Sequence, residues 1–205
     1  DTAIIRALEA AQARGVHIRM ILNDGDTSEE INEEADEMLK DTFDHYYYIE
    51  NDISGKAIIH NKFILFSSVE TTAGSQNHIV LQTSSNFYKK GTKKIQDMLI
   101  FKDKEIYYGY LDYWYYMKVF GETGELDDYN YFNVTSKDGK IKAYFYPKSR
   151  KKIYYGKDDI VKALEEIEDP STCHLRIAHV KWDEQRIDIV KALEGLIGHG
   201  ALVEI

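Results

Sequence analysis

The sequence contains little cysteine, little proline and no long hydrophobic run. Its single cysteine, Cys173, excludes an internal disulfide bond and a thiolate-rich zinc site. The 2 prolines and 13 glycines exclude a collagen-like or low-complexity chain. No run approaches the roughly 18 apolar residues that a membrane-spanning helix requires. With 43% hydrophobic residues, the 205-residue chain nevertheless has enough apolar side chains for a packed core.

Basic residues are also in the minority. The 26 lysines and arginines against 35 aspartates and glutamates give a formal net charge of −9, which repels a polyanion and makes long duplex nucleic acid a disfavoured partner. The Lys-Ser-Arg-Lys-Lys run at residues 148–152 is the exception. It is interpreted either as a local basic patch or, as is more common, as a solvated loop.

Periodic apolar residues predict helices and strands in the first part of the chain. A 3.6-residue spacing predicts an amphipathic helix over residues 2–14, which Gly15 ends, and an alternating pattern predicts a strand over residues 16–22. Thr27 opens a capping box for an acidic helix that continues to about residue 40. The strands predicted after it are at residues 46–49, 57–66, 79–82 and 97–101.

An aromatic helix and a hairpin follow these strands. The helix carries one apolar face, typical of a core face rather than a cofactor site; its members are Ile106, Tyr110, Tyr113, Trp114 and Met117. The Asp138-Gly139 pair predicts a hairpin turn. The later elements predicted are a strand at 141–146, a helix at 158–168, a buried strand at 175–180 and a helix at 183–197. We therefore expect an α/β fold in which a mixed β-sheet is flanked by helices.

An internal repeat organises the chain. Residues 4–9, Ile-Ile-Arg-Ala-Leu-Glu, reappear as Ile-Val-Lys-Ala-Leu-Glu at residues 189–194, and Gly15 corresponds to Gly200 at the same offset of 185 positions. Six consecutive similar residues followed by a glycine in register favour duplication over coincidence. The second copy has a predicted strand at residues 175–180 before its helix, whereas the first copy begins at the helix.

The repeat predicts the domain organisation. Residues 1–120 form a first repeat that lacks its leading strand, residues 121–157 form a connector with a β-hairpin, and residues 158–205 form the beginning of a second repeat. We therefore expect the chain to be part of a larger two-repeat protein.

Two short segments carry residues suited to binding phosphate. His60 and Lys62 lie two positions apart in the predicted strand at residues 57–66, which places both on one face. Ser84 and Asn86 follow the predicted strand at residues 79–82. An imidazole, an ammonium, a hydroxyl and a carboxamide that converge form an anion pocket. Each residue also has an ordinary structural interpretation: a core histidine, an edge-strand lysine and a turn.

These residues resemble the phospholipase D superfamily, whose signature is His-x-Lys-x4-Asp followed by Gly-Ser-x-Asn. His60 and Lys62 match the first half of the signature, and Ser84 and Asn86 match the second half. Residues 144–147 and 175–178, with Trp182 and Arg186, further resemble a secreted bacterial branch of the superfamily.

Three other positions are interpreted through this resemblance. Ser67 stands where the signature has its aspartate, and Thr83 stands where it has its glycine. The aspartate is usually a supporting residue, so its absence bears on the rate or stability of the site. The absence of the glycine constrains the backbone near the phosphate. Asp97 matches an acidic residue that orients the histidine in several members.

The resemblance implies cleavage of a phosphodiester through a phosphohistidine intermediate, without a metal or another cofactor. His60 would be the nucleophile or the leaving-group acid, and Lys62 and Asn86 would stabilise the phosphate oxygens. Ser84, Asp97 and Ser67 would support phosphate binding. A second His-x-Lys would come from beyond residue 205 or from a homodimer.

The resemblance also implies a substrate and a location. A phospholipid head group is the expected substrate, and a secreted or periplasmic location is expected from the branch. A nuclease of the same superfamily and a degenerate, non-catalytic phosphate-binding module are the alternatives.

Overall fold

The computed structural model divides the chain into two compact units, Asp1–Phe145 and Tyr146–Ile205. The residues that the structure describes are 2–24, 39, 43, 46–50, 60–87, 93–123, 131–150, 153–154, 156–178 and 184–205. Among them, no helix has the length and apolar character needed to cross a membrane.

The first unit begins with a helix and a pair of parallel strands. Helix α1 spans Thr2–Ala13, and strands β1, Met20–Asp24, and β2, Tyr46–Glu50, pair in parallel. The predicted helix over residues 2–14 is confirmed, and the chain leaves it through Gly15 at φ +91°, a conformation that glycine adopts without strain. The acidic helix predicted from Thr27 lies outside the described residues, apart from position 39.

Three antiparallel strands carry the sequence motifs. They are β3, Phe63–Thr71, β4, Gly74–Thr83, and β5, Met98–Lys102, in the order β3-β4-β5. Of the strand predicted over residues 57–66, residues 57–59 lie outside the described residues, residues 60–62 are not part of a strand, and the paired ladder begins at Phe63 opposite Gln82. Residues 60–62 therefore precede β3. Strand β4 ends at Thr83, so the residues before Phe63 have almost no partner strand left.

A long helix covers one face of this sheet. Helix α2 spans Lys104–Thr123, and its residues Ile106 and Tyr107 form a buried cluster with Val80 of β4. Leu65 of β3 packs against the same cluster. Because strand side chains alternate, the residues beside Leu65 in β3 point to the other face of the sheet. The prediction that the aromatic face of this helix belongs to the core is confirmed at Ile106 and Tyr113, both of which are buried.

A β-hairpin completes the first unit. Strands β6, Phe132–Thr135, and β7, Lys142–Phe145, pair antiparallel, as predicted from the Asp138-Gly139 turn. Gly139 has φ +74°. Phe145 is buried against Tyr113, so the hairpin packs on α2.

The second unit has its own core. A short hairpin pairs β8, Ser149–Arg150, with β9, Ile153–Tyr154, and strands β10, His174–Arg176, and β11, Leu202–Glu204, pair in parallel. The two helices, α3 and α4, span Asp159–Glu165 and Ile187–Gly198. Their facing side chains form a buried cluster of Val161, Ile189 and Leu193.

The α/β class is confirmed, with one correction to the sheet. Instead of one mixed sheet, the described strands form five small ones: β3-β4-β5 and four pairs. The parallel pair β10-β11 is joined through helix α4, whereas the antiparallel pairs β3-β4 and β6-β7 are joined by tight turns. This is the usual difference between a crossover and a hairpin connection.

Candidate active site

Three segments of the first unit meet at one end of the β3-β4-β5 sheet. The main-chain N–H of Thr83, at the end of β4, donates to the Lys62 carbonyl at 3.0 Å. The N–H of Ser84 donates to the Asp97 carbonyl, just before β5, at 3.2 Å. The sheet end therefore brings together the chain before β3, the chain after β4 and the chain before β5. Four of the predicted site residues lie on these segments next to these bonds: His60, Lys62, Ser84 and Asp97.

Lys62 is the buried cation of this sheet end. Its side chain is only 8% exposed, and its Nζ donates to the His60 carbonyl oxygen at 2.7 Å. Burial lowers the pKa of the Lys62 ammonium, because a desolvated charge loses hydration energy. One of the three ammonium donors is thus used by the main chain of the motif itself. A desolvated cation of this kind gains more from an incoming anion than a hydrated one does.

His60 is exposed next to this cation. Its pKa is lowered from 6.5, first by partial burial and second by the positive charge of Lys62. The lowered pKa favours the neutral imidazole, the form in which a ring nitrogen acts as a nucleophile. Among the described residues, no hydrogen bond to the imidazole and no ion pair between His60 and Asp97 is present. Asp97 is instead held at the sheet end through its main-chain groups.

Thr83 shows why the signature glycine is dispensable in this chain. Its side chain is buried; its Oγ1 donates to the Asp97 carbonyl at 2.7 Å and accepts from the Ser85 N–H at 3.0 Å. Among the described residues other than glycine, only His78 has a positive φ, so the backbone at Thr83 does not require glycine. The hydroxyl joins the end of β4 to the chain that enters β5.

The remaining predicted residues have different surroundings. The Ser84 hydroxyl accepts from the Asp97 N–H at 3.0 Å, so it ties the two segments together. Asn86 is exposed, and its main-chain carbonyl accepts from the Ser85 hydroxyl at 3.2 Å. Ser67 is exposed within β3, about 17 Å along the strand from Lys62 at the usual 3.4 Å per residue. The structure does not bring Ser67 to the sheet end.

Two side-chain bonds at this sheet end were not predicted from the sequence. Asn61, between the histidine and the lysine, donates from Nδ2 to the Tyr113 hydroxyl of α2 at 3.0 Å. Tyr110, one turn earlier on α2, donates to Oε1 of Gln82 at 3.2 Å. The features of the sequence that could have indicated these bonds are a polar residue beside each motif and two tyrosines three positions apart on the helix.

A metal site is not formed by the described residues: they contain no group of three or more His, Cys, Asp or Glu side chains that could hold an ion. The groups at the sheet end include the His60 imidazole, the Lys62 ammonium, the Thr83 and Ser84 hydroxyls and the Asp97 carboxylate. Imidazole, ammonium and hydroxyl groups bind an anion, and an imidazole also attacks or protonates it.

Comparison with known families agrees with this chemistry. The family model described as cardiolipin synthase, PLD-like domain, matches residues 1–115. The matched stretch contains every predicted site residue and the sheet end described above. No curated protein and no solved structure matches the chain. Because the matched residues make up more than half of the 205 residues, the chain belongs to the family of cardiolipin synthase PLD-like domains, within the phospholipase D superfamily.

Proposed function

We propose that the protein is a phosphodiesterase that hydrolyses or transfers the head group of a phospholipid through a phosphohistidine intermediate. The observation that carries the proposal is the desolvated Lys62 ammonium beside a neutral His60, within the stretch that matches the family. A neutral imidazole attacks phosphorus, and an adjacent cation stabilises the charge that develops on the phosphate oxygens. The superfamily consists generally of phosphodiesterases, which agrees with this chemistry.

The proposed reaction has two displacement steps. In the first, an imidazole nitrogen bonds to phosphorus, the bond to the leaving oxygen breaks, and a second histidine gives that oxygen a proton. In the second step, water or an alcohol loses its proton to that histidine and bonds to phosphorus, and the phosphorus–nitrogen bond breaks. Lys62 and Asn86 hold the non-bridging oxygens. His60 takes either histidine role.

We further propose that the second histidine belongs to a second repeat or a second copy of the chain. Helices α1, Thr2–Ala13, and α4, Ile187–Gly198, differ by 185 positions at both ends. Gly15 and Gly200, which follow them at the same offset, both have a positive φ. These matched bounds support the division into a first repeat at residues 1–120, a connector at 121–157 and a second repeat from 158. The same offset predicts another His-x-Lys 185 positions downstream of His60.

Phospholipid is proposed over nucleic acid for two reasons. The matching family is described by the name of a lipid enzyme, cardiolipin synthase. The formal net charge of −9 disfavours a polyanionic substrate. A secreted or periplasmic location is proposed on the resemblance to the secreted branch alone. Recovery of the protein from the extracytoplasmic fraction of its natural host tests that location.

A degenerate phosphate-binding module is the second candidate. It is favoured by the Ser84 hydroxyl, which is engaged with Asp97, and by the Lys62 ammonium, which is engaged with the His60 carbonyl. The Ser84 oxygen and one of the three Lys62 donors are thus already used within the protein. Ser67 in place of the signature aspartate also favours the non-catalytic module.

Head-group release tests the proposal. The intact protein, His60→Ala and the control His17→Ala are assayed with bis(p-nitrophenyl) phosphate, phosphatidylcholine vesicles and single-stranded DNA, all in chelator. His17 is an exposed histidine of the same unit. Only His60→Ala is expected to lose turnover, with the vesicles as the preferred natural substrate. Full turnover by His60→Ala, or dependence on a divalent metal, contradicts the proposed chemistry. Phosphate binding without turnover supports the module, and cleavage of DNA alone supports a nuclease.

A further inference from the structure

Helix α2 holds both motif segments of the sheet end through two tyrosines. Tyr113 accepts from Nδ2 of Asn61 at 3.0 Å, and Asn61 lies between the histidine and the lysine. Tyr110 donates to Oε1 of Gln82 at 3.2 Å, and Gln82 directly precedes Thr83. The two tyrosines are three positions apart, so they lie on the same face of the helix.

We propose that Tyr110 and Tyr113, here called the tyrosine pair, are positioning residues that fix the spacing between the His60–Lys62 segment and the segment after β4. The proposal rests on the proposed function for its effect on turnover. The tyrosine pair acts through Asn61 and Gln82 and does not itself contact phosphate.

The strand geometry explains why the anchors do not block the site. In extended chain, neighbouring side chains point to opposite faces. Asn61 contacts Tyr113 of α2, whereas the Lys62 ammonium bonds to the His60 carbonyl. In β4, Gln82 lies opposite Phe63 and its side chain faces α2. The side chain of Thr83, the next residue, points to the other face of the sheet. Each motif segment is thus fixed from its rear face.

Aromatic packing fixes the distance between the two anchors. The Phe63 ring lies with its centroid 5.0 Å from that of Tyr110 and 6.4 Å from that of Tyr113. Phe63 is the first residue of β3 and lies directly opposite Gln82. These ring contacts oppose sliding of β3 along the helix, because even a shift of a fraction of an ångström disturbs a closely packed interior.

Burial preserves the proton that Tyr110 donates to Gln82, whereas Tyr113 accepts from Asn61 and needs no proton for that bond. Desolvation raises the pKa of Tyr113, although the hydrogen bond from Asn61 opposes part of that rise. Desolvation and the neighbouring Tyr113 raise the pKa of Tyr110. Both phenols therefore stay protonated at neutral and moderately alkaline pH.

Matched tyrosine-to-phenylalanine variants separate positioning from simple packing. Tyr113→Phe and Tyr110→Phe each delete one hydroxyl and keep the ring. Tyr107→Phe is the control, since Tyr107, like Tyr113, is buried on the same helix and its hydroxyl makes no hydrogen bond within the described part of the chain. Asn61→Ala removes the other end of the first anchor at an exposed position.

The readouts are the His60 imidazole NMR signal across a pH titration, and kcat and KM for vesicle hydrolysis. Tyr113→Phe, Asn61→Ala and Tyr110→Phe are expected to lower kcat by about tenfold with KM within about twofold, since a misplaced catalytic group costs turnover. Tyr113→Phe and Asn61→Ala are expected to shift the His60 signal alike, and the double variant is expected to add nothing to either. Tyr107→Phe is expected to change nothing.

The tyrosine pair is not a positioning device if Tyr113→Phe leaves the His60 signal and its titration unchanged, as Tyr107→Phe does. If the double variant Asn61→Ala with Tyr113→Phe shows the sum of the two single effects, the proposal is also wrong. The NMR readout needs no turnover. An inactive wild-type protein therefore counts against the proposed function, while the His60 signal still decides the proposal about the tyrosine pair.

Discussion

The side-chain nitrogen of Lys62 lies 2.7 Å from the main-chain carbonyl oxygen of His60. The buried cation is thereby held beside the imidazole whose protonation it opposes. The arrangement couples the two motif residues electrostatically before any substrate is present. A phosphate that reaches this sheet end meets a neutral histidine and a partly desolvated ammonium.

Lys62→Met is expected to raise the pKa of His60. Lys62 is the second cause of the lowered value, after burial, so the variant value is expected to rise toward 6.5 without reaching it. A histidine that must be neutral to react loses activity as the pH falls through its pKa. If His60 is the nucleophile, the acid limb of any residual turnover is therefore expected to move to higher pH.

An NMR titration of His60 measures this shift directly. Lys94→Met, which removes an exposed charge of the same unit, is the control and is expected to leave the titration in place. An unchanged or lowered His60 pKa in Lys62→Met contradicts the coupling.

Thr83→Val is expected to loosen the junction of β4 and β5. The variant keeps the shape of the side chain but removes the donor to the Asp97 carbonyl and the acceptor for the Ser85 N–H. Loss of buried hydrogen bonds costs about 1–3 kcal/mol. Thr83→Ser keeps the hydroxyl and is expected to be near wild type, whereas Thr83→Gly restores the signature residue yet is expected to be destabilised.

Hydrogen exchange of the β4 and β5 amides compares the three variants. Faster exchange in Thr83→Val and Thr83→Gly than in Thr83→Ser is the expected result. Equal protection in all three shows that the hydroxyl does not hold the junction.

Local patterns predicted the elements well and the contacts between them poorly. The spacing of apolar residues located helices α1 and α4 within a few residues, and Asp138-Gly139 located the hairpin turn. Within the apolar run at residues 57–66, the sequence did not show that the described ladder begins only at Phe63, because pairing ends where β4 ends. That boundary depends on residues twenty positions away in the chain.

The sequence predicts the residues of the candidate site but not the hydrogen bonds from α2 that hold their segments. Signature matching located His60 and Lys62, and strand order then brings Ser84 and Asp97 to the same sheet end. No periodicity signals that Asn61 bonds to Tyr113 across 52 positions. A single pocket lined by the four signature residues stays a prediction.

Gly109→Ala is expected to destabilise the first unit. A Cβ at Gly109, inside α2, would lie 2.8 Å from Cγ2 of Val134 and 3.3 Å from the Phe145 ring. The hairpin must shift, and overpacking of this kind costs about 1–3 kcal/mol. Gly195→Ala in helix α4 is the matched control, since nothing lies within 4 Å of its added Cβ. That variant is expected to gain about 0.5–1 kcal/mol from the better helix former.

Urea unfolding followed by Trp114 fluorescence in a Trp182→Phe background measures the Gly109 effect. Val134→Ala in the same chain is expected to relieve much of it. If Gly109→Ala is as stable as its parent, the close packing of the hairpin on α2 is incorrect.

The last prediction concerns the buried ion pair of the second unit. Lys148, the first residue of the basic run at residues 148–152, lies with its Nζ 2.5 Å from Oδ1 of Asp159, and the two side chains are 12% and 4% exposed. Tyr146 donates to the other oxygen of Asp159 at 3.0 Å. Burial, followed by that bond and the negative charge of Asp159, raises the pKa of Tyr146 to about 12.

Removal of either charge is expected to leave the other buried without its opposite charge in this ion pair. Lys148→Met and Asp159→Asn are therefore each expected to destabilise the second unit by about 3–5 kcal/mol, whereas Lys148→Met with Asp159→Leu costs less than either alone. Hydrogen exchange of α3 and α4 measures the loss, with α2 as the internal control. Asp159→Asn is also expected to lower the pKa of Tyr146, visible in the tyrosinate absorbance difference from Tyr146→Phe. The raised pKa contributes stability below pH 10 that is lost as the pH rises toward 12. A double variant less stable than both single variants would show that the pair is net stabilising, contrary to this account.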